Sequence, residues 1–205
     1  MHHEILSKEQ VDLLPMMQQF RREYYLVGGT AIALQIGHRK SIDFDMFKFL
    51  ALNSKRTLNK IDDAKLRYSI AYRSSDQIHL TINSVKLTFF QYPYPVEAKV
   101  NFEKTFRMPD LLTLAAMKAF ALGRRSKWKD YVDLYFLLRD HFTIEQVSHK
   151  AVDVFGQMFS PKLFLSQLSY YKDIDYSEPI EYLPNFEVDE KSIQEFLIDK
   201  TLQGI

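Results

Sequence analysis

The sequence predicts an α+β protein in which a lobe built on a mixed β-sheet precedes a helical lobe. Three observations lead there. A strand, short helix and strand can be read over residues 24–46, three more strand-like runs follow between 68 and 90, and from Pro109 onward apolar residues recur at helical spacing. The boundary is expected near residue 100, giving an α/β lobe over 1–100 and a helical lobe over 101–205.

Taken in order, Ser7 caps a helix expected through about Phe20. Its oxygen accepts an orphan N–H, Glu9 and Gln10 occupy the first turn, and Leu13, Leu14, Met17 and Phe20 share a face. Pro15 is expected to kink this helix or shift its start. Tyr24-Tyr25-Leu26-Val27 reads as a strand ending in Gly28-Gly29, and Thr30 to Ile36 as a short helix closed by Gly37. In the next run Ile42, Phe44 and Met46 alternate with Asp43 and Asp45, so a strand here buries the first three and projects both carboxylates from its other face.

Ser54 begins a helix expected to about Leu66. Tyr68 to Tyr72, Gln77 to Ile82 and Val85 to Phe90 read as strands joined by Ser74-Ser75-Asp76 and Asn83-Ser84, and Pro93 and Pro95 end the last of them. In the helical half Asp110 caps a segment to Leu122, terminated by Gly123; Ser126 opens another over 127–140; Thr143 and Gln146 form a capping box for a third, to about Phe155. Two further helices are expected near 161–171 and 189–202. The aromatic residues between 161 and 190 are expected as core or as a partner surface.

Composition narrows the function classes. Basic and acidic residues nearly cancel, 27 against 26, so a polyanionic partner has to be met by a local patch. Without cysteine there is no thiol catalysis and no Cys-based zinc site. The start Met1-His2-His3-Glu4 lacks a basic-then-apolar signal and no run reaches the ~18 apolar residues of a membrane span, so a soluble, cytoplasmic protein is expected. The six histidines show no ligand spacing, and no P-loop or nucleophilic serine elbow occurs.

Two constellations carry chemistry. Gly28 and Gly29 permit a tight turn with bare N–H groups, at the start of a helix whose dipole favours an anion, as a phosphate cradle does. Asp43 and Asp45 on one strand face suit Mg²⁺, a hard ion that takes one or two carboxylates plus substrate phosphates. Between them, the basic knot His38-Arg39-Lys40 offers Arg39 or Lys40 to a triphosphate or an RNA backbone. This order of turn, helix and Asp-x-Asp strand resembles the nucleotidyltransferase superfamily, whose usual form has Ser where this chain has Thr30. The second constellation is Lys118 with the run from Arg124 to Leu134, in which Asp130 and Asp133 are neighbours on one helix face.

Together these stretches, over residues 24 to 140, look like the AbiEii/AbiGii-type nucleotidyltransferases, known as abortive-infection and toxin–antitoxin toxins. The resemblance implies a nucleotidyltransferase-like fold whose helical lobe completes the active-site cleft, with Asp43 and Asp45 as ligands of Mg²⁺ or Mn²⁺. It implies Gly28, Gly29, Thr30 and Lys118 at the nucleotide, and Asp130 as a further residue needed for activity. It also implies a nucleoside triphosphate substrate, a hydroxyl acceptor such as a tRNA end, and a cognate antitoxin. For such an RNA, Arg124, Arg125, Lys127 and Lys129 are candidates for phosphate contacts and Trp128 for stacking on a base. One position departs from the pattern: where the superfamily commonly brings a third carboxylate on a later strand, this chain has Thr88, neither a base at neutral pH nor a strong metal ligand. Asp130 or Glu97 as a substitute, a single metal, or weak or absent catalysis all remain open. So do a nucleotide- or RNA-binding module and a small-molecule, aminoglycoside-type transferase.

Overall fold

Alternation of apolar and polar side chains builds the sheet that positions the site. The computed structural model describes residues 1–203 and divides into two units, Met1–Asp110 and Leu111–Ile205. The first unit begins with helix α1 (Lys8–Met17), which carries the expected Ser7 cap as a full capping box with Gln10. Pro15 lies inside α1, and the chain tightens into a 3-10 turn from Gln18 to Phe20. Strand β1 (Tyr25–Val27), helix α2 (Gly28–Ile36) and strand β2 (Phe44–Lys48) follow, then α3 (Ser54–Asp63) and the strands β3 (Ser69–Arg73), β4 (Gln77–Ile82) and β5 (Val85–Gln91).

These strands form one mixed sheet in the order β1-β2-β5-β4-β3, with β2 and β5 parallel and the other pairs antiparallel. Phe44 and Met46, Ile78 and Leu80, and Leu87 and Phe89 line its buried face, where Phe20 and Tyr24 pack on Phe89 and Phe106 on Phe44. Asn83 and Ser84 both take positive φ, 48° and 66°, as a two-residue hairpin between antiparallel strands requires. The edge strand β3 is exposed throughout, and its register to β4 shifts between Ile70 and Tyr72.

Three expectations are corrected. Strand β2 starts at Phe44, so Ile42 is exposed (56%) rather than buried. Helix α3 stops at Asp63. Two strands unseen in the sequence, β6 (Val100–Phe102) and β7 (Phe106–Met108), pair as a hairpin whose Phe102, Phe106 and Met108 are buried. The first unit ends at Asp110, after this hairpin.

The second unit is helical: α4 (Leu111–Leu122), α5 (Trp128–Asp140), α6 (Ile144–Phe155), α7 (Pro161–Leu168) and α8 (Glu190–Gln203). The rings of Phe120 and Phe155 stack, centroids 3.9 Å apart. The Thr143–Gln146 capping box forms as expected, whereas Ser126 does not cap α5; its N-cap is Lys127, without a side-chain cap bond. The segment between α7 and α8 lays aromatics against α5: Tyr176, itself partly exposed, against Trp128, and Tyr182 and Phe186 against Phe136. Its backbone bonds the start of α5, through Trp128 N–H to the Asp175 carbonyl and Asp175 N–H to the Ser126 carbonyl. Among the described residues no helix is long and apolar enough to cross a membrane.

Candidate active site

The glycine turn, the loop after α2 and strand β2 converge in the first unit. Helix α2 begins at Gly28 itself, with Val27 as an N-cap that supplies no side-chain bond. Gly28 has φ +73°, and a Cβ built on it would overlap the Asp45 carboxylate; one built on Gly29 would overlap the Arg39 guanidinium. Both glycines therefore buy closeness, one to an anion and one to a cation, at the positive end of a helix. Arg39 is 4% exposed and Nη1 donates to the Lys40 carbonyl at 2.9 Å, which fixes its head beside the turn.

Thr30 lies in the same turn but faces elsewhere. It is 2% exposed, its hydroxyl donates to the Asp43 carbonyl, and it sits 2.9 Å from Ser41 Oγ. Gln10 Nε2 holds the Ser41 carbonyl from α1 at 2.9 Å. The side chain expected at the phosphates thus pins the loop that delivers Asp43.

On the open face of the sheet Asp43 and Asp45 border a groove of about 540 Å³ that reaches across β5 and β4 to β3 and is also lined by Tyr72, His79, Lys86 and Thr88. The register explains the row: Asp45 is opposite Thr88, Thr88 opposite His79, and His79 opposite Tyr72. The third-carboxylate position is therefore occupied by a hydroxyl. Glu97 does not replace it, being a surface residue paired with Lys99 at 2.5 Å. Among the described residues there is no cluster of three or more His, Asp or Glu side chains able to hold a metal. Two hard carboxylates on one wall, with the room that Gly28 leaves for one of them, nonetheless fit Mg²⁺ or Mn²⁺, since Mg²⁺ takes its remaining ligands from phosphates and water.

In the second unit Lys118, on α4, is buried between two carboxylates of α5: Nζ is 2.5 Å from Asp130 Oδ1 and 2.7 Å from Asp133 Oδ2. Asp130 stands in the first turn of α5 and also accepts from Arg125, Nε at 2.8 Å and Nη2 at 3.1 Å. Burial opposes its charge, but Lys118 and then Arg125 outweigh burial and hold the Asp130 carboxyl below the ordinary carboxylate range. Asp133, 0% exposed, is as much part of this cluster as Asp130.

The neighbouring residues expected to meet RNA are engaged within the unit. Lys127 and Lys129 both pair with Glu178, and Trp128, 7% exposed, stacks on Tyr131 and Tyr176. Arg124 lies over the Phe120 ring, 3.6 Å from its centroid. In the structure Trp128 thus serves packing within the unit. The groove-lining His79, Tyr72 and Lys86 were missed as site residues; their signal was the alternation of Gln77, His79 and Thr81 with Ile78, Leu80 and Ile82.

Comparison with known proteins agrees with this architecture. The family model described as "Nucleotidyl transferase AbiEii toxin, Type IV TA system" matches residues 50–202. An uncharacterized protein of Aquifex aeolicus (strain VF5), aq_aa25, is 29% identical over 177 residues, 82% of this chain and 84% of that protein. MenT4, a nucleotidyltransferase toxin from Mycobacterium tuberculosis, superposes with a TM-score of 0.63 at 14% identity over 94% of this chain and 81% of its own. JHP933 from Helicobacter pylori superposes with a TM-score of 0.57 at 17% identity, over 97% and 92% of the two chains. The fold is that of these nucleotidyltransferases. The chain belongs to the AbiEii family of nucleotidyltransferase toxins. The family match begins after Asp45 and runs through the C-terminal helices, so it rests on a different stretch from the Gly-Gly and Asp-x-Asp motifs.

Proposed function

We propose that this chain transfers a nucleoside monophosphate from an NTP to a hydroxyl acceptor, with Mg²⁺ or Mn²⁺ held by Asp43 and Asp45. The observation that carries the reading is the contact of Asp45 with Gly28, beside Arg39 at Gly29: carboxylates for a cation and a basic helix start for phosphates meet at one point. The metal, when bound, supplies charge neutralisation on the phosphates. Arg39 and the N–H groups of the turn bind phosphate oxygens, and Arg39, with a fixed planar head, orients them. Thr30 keeps Asp43 in place through the Asp43 carbonyl. In the second unit Asp130 and Asp133 hold the Lys118 ammonium between them.

The acceptor in this reading is RNA, a tRNA end in the first instance, and the partner is an antitoxin, as the Type IV toxin–antitoxin description of the family suggests. Both belong to a cytoplasmic setting. Lys127, Trp128 and Lys129 take no part in acceptor binding here, because Glu178, Tyr131 and Tyr176 occupy them. Arg124 and Lys40 remain candidates for RNA phosphates.

The test is incubation with each α-labelled NTP, Mg²⁺ or Mn²⁺ and total tRNA, beside Asp43→Ala and Asp45→Ala. Label on RNA with the unaltered chain and none with either variant supports the reading. A second reading, a nucleotide-binding module without turnover, is favoured by Thr88 beside Asp45. It expects NTP binding by calorimetry with no label transferred.

A further inference from the structure

The groove offers a base other than the missing carboxylate. Resting on the transfer reading above, we propose that His79 is the catalytic base that accepts the proton of the attacking hydroxyl, in place of a carboxylate at position 88.

The argument is one of reach and chemistry. Asp45, Thr88 and His79 stand side by side on three neighbouring strands, so His79 is two strand spacings, roughly 9–10 Å between backbones, from Asp45. An acceptor oxygen bound beside a phosphate at Asp43 and Asp45 then lies over Thr88. Threonine is short and its hydroxyl is no base at neutral pH. The imidazole on the next strand is longer, is half-buried, lines the same groove and belongs to the side chain that most readily exchanges a proton near neutrality.

The ring is also held. Gln77, two residues earlier on the same face of β4, places Oε1 3.1 Å from His79 Nε2. This contact fixes the orientation of the ring in the groove. Tyr72 meets the ring edge-on from β3, with centroids 5.8 Å apart. The other ionisable groups lining the groove are Asp43, Asp45 and Lys86. A catalytic base oriented by a second group and set one strand beyond Thr88, in the groove that Asp43 and Asp45 border, is what acceptor activation requires.

In the step, the acceptor oxygen forms a bond to the α-phosphorus of the NTP while the bond from that phosphorus to the bridging oxygen breaks. Pyrophosphate leaves with the bonding pair, and the acceptor's proton passes to the unprotonated ring nitrogen of His79 and from there to solvent.

The experiment compares the unaltered chain with His79→Ala, Thr88→Asp and the double variant in the α-labelled NTP and tRNA assay, with NTP affinity by calorimetry and melting curves for each. Loss of a general base lowers turnover by about 10²–10⁴-fold, so His79→Ala is expected to lose that much transfer with NTP affinity and melting unchanged. Adding Thr88→Asp to it is expected to restore about tenfold or more, because a carboxylate then stands where the histidine's work can be done directly. Transfer by His79→Ala at the unaltered rate overturns the proposal, and so does a loss that Thr88→Asp fails to restore, which would leave His79 a groove-shaping residue. An unaltered chain that binds NTP but labels nothing overturns the transfer reading, and this proposal with it.

Discussion

Gly28 and Asp45 approach so closely that a methyl group on the glycine would occupy the volume of the carboxylate. Gly28→Ala is therefore expected to do two things. Left-handed backbone at φ +73° costs a residue with a Cβ about 1–2 kcal/mol, which urea unfolding measures. The displaced Asp45 removes nucleotide transfer as well. Gly156→Ala separates the two effects: its φ is also positive, +55°, but a Cβ there meets nothing within 4 Å, so stability falls and transfer stays.

Thr30 distinguishes a hydroxyl from a shape. Thr30→Val leaves the Asp43 carbonyl without its donor and is expected to cost about 1–3 kcal/mol, the penalty of an unsatisfied buried group. Thr30→Ser keeps the donor and gives up one buried methyl, about 0.8 kcal/mol. Urea midpoints in the order Thr30, Ser, Val check this.

Lys118→Ala takes the ammonium from between the buried carboxylates of Asp130, which keeps Arg125, and Asp133. Removing one partner of a buried ion pair costs about 3–5 kcal/mol, so this variant is expected to melt well below the parent. Its inactivity alone is no measure of a phosphate contact. Lys118→Arg, which keeps a charge between the carboxylates, is expected to regain part of the stability in the same melts.

Acid sensitivity is expected to include a contribution from Glu178. Burial opposes its charge, but hydrogen bonds from Lys127 and Lys129 bring its pKa from 4.5 down to about 2. A carboxyl lowered by folding stabilises the folded chain above its unfolded value and loses that contribution as pH falls through the folded one. Stability is thus expected to drop between pH 4.5 and about 2. Asp130, also lowered, adds a loss of the same sign. Glu178→Gln should flatten the Glu178 part of this decline in urea unfolding followed across that range.

Periodicity made the main elements readable. Alternation put Asp43 and Asp45 on the polar face of their strand, and the register set Asp45 beside Thr88. The strands β6 and β7 escaped because three residues are too few for a period to show, and Ile42 was misplaced because alternation does not reveal where a strand begins. The partners of Thr30 and Trp128 were not legible for another reason. A side chain's type does not disclose its partners, and Ser41, Asp43 and Tyr176 reach these two residues across intervening chain. His79 was passed over because a lone histidine in a strand has no motif; it gains meaning from the strands on either side.

The shifted pairing of β3 has a consequence for self-association. An exposed edge strand is a template onto which a second molecule can add its own edge. Between Ile70 and Tyr72 the ladder of β3 is interrupted, and the strand ends in the cationic Arg73. A straight intruding strand finds no continuous set of hydrogen-bonding partners there and meets a charge at its end. The irregularity keeps the exposed margin of the sheet from seeding intermolecular growth, while leaving the groove-facing residues of β3 in their places.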